Sequence, residues 1–186
     1  MTDIPSPSGT ALDWPALSPS ERYRRVTLEG LLLIQRTDEY VWERFGSEEW
    51  ERFSDATRPG WAGPIGRKLA RDHATELTPD IAGALKLMAV YGAEVWGSGH
   101  RDATRIDKID ESEGRLTITN HGCPQWGLVS EKMRSVFPCN KACGREMDSV
   151  VRQGLGEEFA VDTIKGRPFG DDECVWRVRR KQEVGA

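Results

Sequence analysis

Residues 174–180 read CVWRVRR and residues 158–164 read EFAVDTI. In both, apolar and polar side chains alternate, the period-two spacing of a β-strand with one buried face. Two earlier stretches, ATRIDKI at 103–109 and RLTIT at 115–119, alternate in the same way around Glu111–Gly114 and read as a β-hairpin. The segments between the two strand pairs, 125–136 and 139–153, carry helical spacing. The second half of the chain therefore reads ββααββ, an antiparallel sheet carrying helices, which belongs to the α+β class.

Upstream of that unit the apolar period changes to that of a helix. Ser18-Pro19-Ser20-Glu21 reads as a helix start, with proline in the first turn and an acid beside it. Val26, Leu28, Leu31, Leu32, Ile34, Tyr40, Val41, Trp42 and Phe45 then keep a roughly helical spacing up to Gly46. Ser47-Glu48-Glu49-Trp50 restarts a second helix, and Arg58-Pro59-Gly60 reads as a turn that ends it. Trp61–Leu77 reads as a third helix. Thr78-Pro79-Asp80 starts a fourth, running from Ile81 to Trp96. Residues 1–18, which hold Pro5, Pro7 and Pro15, read as an arm. The expected organisation is thus arm 1–18, helical part 19–99 and cysteine-bearing α+β part 100–186, forming one compact domain.

The chain has 186 residues, 26 Lys and Arg against 30 Asp and Glu, and a net charge of −4. A general nucleic-acid binder needs a positive field, so that class is set aside. No run of about 18 apolar residues is present, so no membrane-spanning helix is expected. The first 21 residues have neither a basic leader nor an apolar stretch, and the expected location is the cytoplasm, where thiols stay reduced.

All four cysteines, Cys123, Cys139, Cys143 and Cys174, fall after residue 122. Cys139 and Cys143 are one helical turn apart, so their sulfurs share a face. Pro138 marks the start of that helix, whose electropositive end lowers a thiol pKa. Cys123 closes the hairpin and Cys174 opens the last strand. The expectation is that the four sulfurs converge. Four thiolates can ligate a 4Fe–4S cluster. They can also hold structural zinc, although no C-x2-C knuckle is present. The third reading makes them small apolar core residues. His121, two residues before Cys123, is a candidate ligand or general base, and Asp148 a candidate for orienting a substrate amine. The bland readings are a solvated strand-end histidine and a surface acid. Asp171 and Asp172 read as turn formers beside Cys174. Arg177 and Arg179 share one strand face, either solvated or binding an anion. The seven tryptophans floor an aromatic pocket or pack between helices.

Three segments together carry a resemblance: His121-Gly122-Cys123-Pro124, Phe137-Pro138-Cys139-x3-Cys143, and Gly170-Asp171-Asp172-Glu173-Cys174-Val175-Trp176-Arg177. They resemble the C-terminal half of the L-2-amino-thiazoline-4-carboxylate hydrolase family, in its uncharacterised branch, and the resemblance extends over about residues 22–180. It implies a small α+β domain similar to vinyl-reductase-type ligand-binding domains, with a cysteine-lined site and hydrolysis of a C–N bond in a small cyclic amidine. Four cysteines stand here where hydrolase-like members need fewer, which favours a cluster. The resulting expectation is a small enzyme of hydrolase or lyase type, carrying a cysteine-ligated 4Fe–4S site held by Cys123, Cys139, Cys143 and Cys174 and acting on a small polar molecule. The alternatives are a metal-free cysteine hydrolase, with Cys139 as nucleophile assisted by His121 or Asp148, and a non-catalytic module stapled by zinc. The long first helix, apolar nearly all round, suggests a homodimer.

Overall fold

The computed structural model describes residues 18–96, 103–108, 110–119, 123–166 and 170–181. All of the arm but Ser18 lies outside the described residues, as does His121. Helix α1, Pro19–Phe45, opens on a capping box: the Ser18 hydroxyl accepts from the Glu21 N–H, and the Glu21 carboxylate accepts from the Ser18 N–H at 2.9 Å. It ends at Gly46, whose positive φ of 87° suits glycine. Helices α2, Ser47–Asp72, and α3, Ile81–Val95, follow. The Asp80 carboxylate caps α3 by accepting from the Gly83 N–H.

The four strands are β1, Thr104–Lys108; β2, Glu113–Ile118; β3, Phe159–Lys165; and β4, Cys174–Arg180. They form one antiparallel sheet in the order β1-β2-β4-β3, so the alternating stretches read from the sequence all become strands. Register pairs Leu116 with Trp176, Ile118 with Cys174 and Val161 with Val178. These side chains join the main core, beneath α3 and a helix we label α5, Cys139–Leu155. Glycines set how closely the helices approach the sheet. A Cβ at Gly114 would lie 2.5 Å from Leu85, and one at Gly144 would lie 2.5 Å from the Thr163 hydroxyl. On the opposite face Asp162 accepts from both Arg177 and Arg179, so each arginine has an internal partner. The Asp171 carboxylate accepts from the Gly166 N–H at 2.9 Å, the turn-forming role expected of it.

Two readings change. Arg58-Pro59-Gly60 is not a turn: α2 runs through both Pro59 and Pro64. Each proline removes an N–H and disfavours a helix interior by about 3 kcal/mol, and tertiary contacts outweigh that. Ala62, Gly63 and Gly66 let α2 lie against α5, and the Ser149 hydroxyl donates to the Pro59 carbonyl. The segment 125–136 is likewise not one helix. It forms the short α4, Pro124–Leu128, and a 3-10 turn at Glu131–Met133. It folds over a second apolar cluster of Trp50, Val129, Met133, Phe137, Cys139 and Ala142. Trp42, Trp50 and Phe137 meet there edge to face at 5.2–5.9 Å, so these tryptophans pack between elements.

Arg58 explains why α2 tolerates its prolines. Its guanidinium, 2% exposed, donates to Asp38 on α1 and to Glu146 on α5, both equally buried. The Trp50 indole N–H donates to Asp38 at 3.1 Å and the Tyr91 hydroxyl donates to Glu146 at 3.2 Å. Four helices thus share one buried ionic network. Burial pushes the Glu146 carboxyl above its ordinary range, against the opposing pull of Arg58.

Two measurements check this account. A Cβ at Gly66 would sit 2.5 Å from the Val150 carbonyl, whereas one at Gly60 meets nothing within 4 Å. Gly66→Ala is expected to lose about 1–3 kcal/mol by overpacking and Gly60→Ala to gain about 0.5–1 kcal/mol, compared by thermal melting. Arg58→Met leaves two buried carboxylates without a cation and is expected to lose about 3–5 kcal/mol near pH 7. Without that cation, burial raises both folded-state pKa values above the unfolded ones, so the native state holds more protons. Stability then falls as pH rises from about 4 through the raised values. The deficit measured by urea unfolding is therefore smaller at about pH 5 than near neutrality.

Candidate functional site

The four cysteines enter from three separate places. Cys139 is the first residue of α5, Cys143 lies one turn further, and Cys174 begins β4. Cys123 precedes α4 and caps it, its Sγ accepting from the Trp126 N–H at 3.4 Å. Cys139, Cys143 and Cys174 are buried and Cys123 is half-buried; none of the four is in a disulfide. Cys139 packs in the aromatic cluster, while Cys143 and Cys174 belong to the main core and Cys123 packs against it. The thiols therefore mark the seam between the two cores.

Cys143 is the central group. Burial pushes its thiol well above the ordinary range, and Glu146, Cys123, Cys139 and Cys174 each push it further. As a protonated thiol it donates to the Gln125 side-chain carbonyl at 3.0 Å. Glu146 links this seam to Arg58 and Tyr91, so the thiols border the ionic network. Tyr91 is held protonated too, first by burial and then by the Glu146 charge.

Two buried polar groups near the seam lack a partner. Both amide atoms of Asn140, between Cys139 and Cys143 on α5, are unsatisfied, and that side chain is 1% exposed. It packs against Gly166, where a Cβ would come within 2.7 Å of it. The Trp176 indole N–H is also unsatisfied, two residues beyond Cys174 and so on the same strand face. Unsatisfied buried donors are costly and usually mark a missing partner. Among the described residues, no three His, Cys, Asp or Glu side chains are arranged to hold a single metal ion.

Asp148 stands elsewhere. Five residues past Cys143 is about 140° around the helix, and its carboxylate accepts from the Val161 N–H at 2.9 Å and pairs with Arg152 at 3.3 Å. There it holds the outer edge of β3 and lines a cleft of about 280 Å³ with Asp55, Arg145 and Glu157. His73 ends α2 and meets Glu94 at 3.0 Å. Sequence reasoning missed Arg58, Asp38, Tyr91, Gln125 and Asn140. Glu146 had a legible signal, lying three residues from Cys143 on a helix face.

No protein-family model and no curated protein matches this chain. Among solved structures it is similar to trafficking protein particle complex subunit 3 from Naegleria fowleri, described as covalently bound to palmitic acid. Identity is 16% and the TM-score 0.46, over 85% of this chain and 99% of that one. A likeness at that score assigns no function.

Proposed function

We propose that Cys123, Cys139, Cys143 and Cys174 hold a 4Fe–4S cluster, and that the chain is a small enzyme of hydrolase or lyase type acting on a small polar molecule. The observation that carries this reading is the placement of the cysteines at the seam of the two cores, with Cys143 and Cys174 in the main core, Cys123 packed against it and Cys139 in the second. A buried free thiolate among other thiols is unfavourable, and an iron cluster supplies the positive charge that reverses this. The unsatisfied Asn140 amide and Trp176 indole are donors of the kind that hydrogen-bond cluster sulfurs. The sulfurs of a zinc tetrahedron lie about 3.8 Å apart. Among the described residues no three such side chains are grouped to hold a metal ion, a fact that bears on zinc and iron alike.

When bound, such a cluster supplies electron transfer if saturated, or a Lewis-acidic iron if one position opens. Cys123 is the half-exposed member of the quartet, and its release would open that position toward solvent. Cys143 and Cys174 would anchor the site from the core, and on ligating iron Cys143 would lose the proton it donates to Gln125. The resemblance of the cysteine segments to the thiazoline-carboxylate hydrolases supports a substrate with a C–N bond.

Protein purified without oxygen and reconstituted with iron and sulfide is expected to bind about four irons per chain and to absorb near about 400 nm. Cys143→Ser and Cys174→Ser should each lose that band while circular dichroism retains the α+β spectrum. Iron-free protein after reconstitution overturns the cluster, as does a band that survives both substitutions. Stoichiometric zinc without sulfide would support the zinc-stapled module instead, and rapid alkylation of Cys139 alone in metal-free protein the thiol hydrolase.

A further inference from the structure

Helix α1 is amphipathic in the wrong sense for a helix that faces water. The residues it buries include Gln35, Asp38 and Glu39 alongside Leu31. Its exposed face carries Val26, Leu33 and Tyr40, which are 69%, 70% and 60% exposed. These three are spaced seven apart, with Gly30 and Thr37 four residues after the first and second. That is a heptad seam. Seven residues make nearly two turns, so the seam stays on one side of the helix, roughly opposite Leu31 and Asp38. The seam is symmetric about Leu33, since Val26 and Tyr40 stand at equal distances along the helix. No atom lies within 4 Å of a Cβ built at Gly30, so a neighbouring helix can approach closely there.

We infer that two copies of this chain associate through α1, antiparallel, about a two-fold axis passing beside Leu33. That axis sets Leu33 against Leu33 and Val26 against Tyr40 of the second copy. It lays the stem of Arg36 over Gly30 and brings its guanidinium, which already donates to Glu39 of its own helix, beside Glu29 of the other copy. Parallel pairing would instead put Glu29 and Arg36 of one copy on the opposite flank of the seam from those of the other, so neither charge would gain a partner across it. Charge and symmetry therefore select the same orientation. A two-fold interface uses one patch twice, as this seam requires. The inference does not depend on the identity of the group held by the thiols.

Light scattering and sedimentation of the full chain are expected to give the mass of two chains. Leu33→Asp should halve that mass while leaving the melting transition of the fold in place. Orientation is read by mild oxidation with a copper–phenanthroline catalyst and oxygen, which takes two electrons and two protons from a pair of thiols and joins them as a disulfide. Leu33→Cys is expected to link to itself. Val26→Cys and Tyr40→Cys should link when mixed and remain largely unlinked alone, with the wild-type chain as control for the native cysteines. A monomeric wild type overturns the inference, including one whose seam is covered by its own first 17 residues or by an unrelated protein. Efficient self-linking of Val26→Cys alone overturns the antiparallel arrangement.

Discussion

The position of Arg58 between Asp38 and Glu146 is the constraint on which the helical layer depends. A guanidinium withdrawn from water is tolerable only when its donors are matched, and here two carboxylates from two other helices match them. The same contact fixes three separate choices. It keeps α2 helical through Pro59, the residue next to Arg58. It holds α1, whose buried face is largely polar, against α2. It also sets the rotation of α5 about its axis, because Glu146 must face Arg58. Hydrophobic pairs of equal area would tolerate sliding by a residue, but a forked guanidinium between two carboxylates does not.

Once α5 is set in rotation, the thiol seam follows. Glu146 lies three residues from Cys143, so aiming the carboxylate at Arg58 carries Cys143 to the same side, against Gln125. The electrostatics are then coupled. Glu146 is raised by burial and restrained by Arg58, and its charge in turn adds to the pressure that keeps Tyr91 and Cys143 protonated. The site is a low-dielectric region with one fixed cation and several groups whose charged forms are disfavoured. The Asn140 amide and the Trp176 indole N–H stand unsatisfied beside it.

Legibility from sequence divided along physical lines. The strands were readable because alternation is a local pattern, and all four appear in one antiparallel sheet. The helix starts at Ser18 and Asp80 were readable because caps are local hydrogen bonds. The two misread segments fail for one reason. Pro59 looks like a breaker, and 125–136 looks helical, when only neighbouring residues are weighed. Contacts from residues some 90 positions away decide both, through Ser149 on the Pro59 carbonyl and through Glu39, which accepts from the Ser130 N–H. Arg58 was invisible as a site residue because its partners lie 20 and 88 positions distant. The thiol quartet was legible as a cluster in sequence, and the structure divides it between two apolar clusters, Cys143 and Cys174 in one with Cys123 against it and Cys139 in the other. Asp148, chosen for its nearness to Cys143 along the chain, faces away because five residues is not a helical repeat.

The inverted character of α1 has the same origin. A helix that contributes Gln35, Asp38 and Glu39 to the interior is attached through directed polar contacts: Asp38 to Arg58 and Trp50, and Glu39 to Gln35 and the Ser130 N–H. Such contacts specify where the helix sits but remove little apolar surface from water. Leu31, Val41 and Trp42 pack inward, while Val26, Leu33 and Tyr40 remain outside, in one stripe on the opposite face. Each such side chain left in water forgoes about 1.5–3 kcal/mol of burial. An isolated chain would gain by turning the stripe inward, yet doing so would leave Arg58 buried without Asp38. The ionic joint thus holds the apolar stripe on the outside, and a second copy of the same stripe can cover it without disturbing that joint.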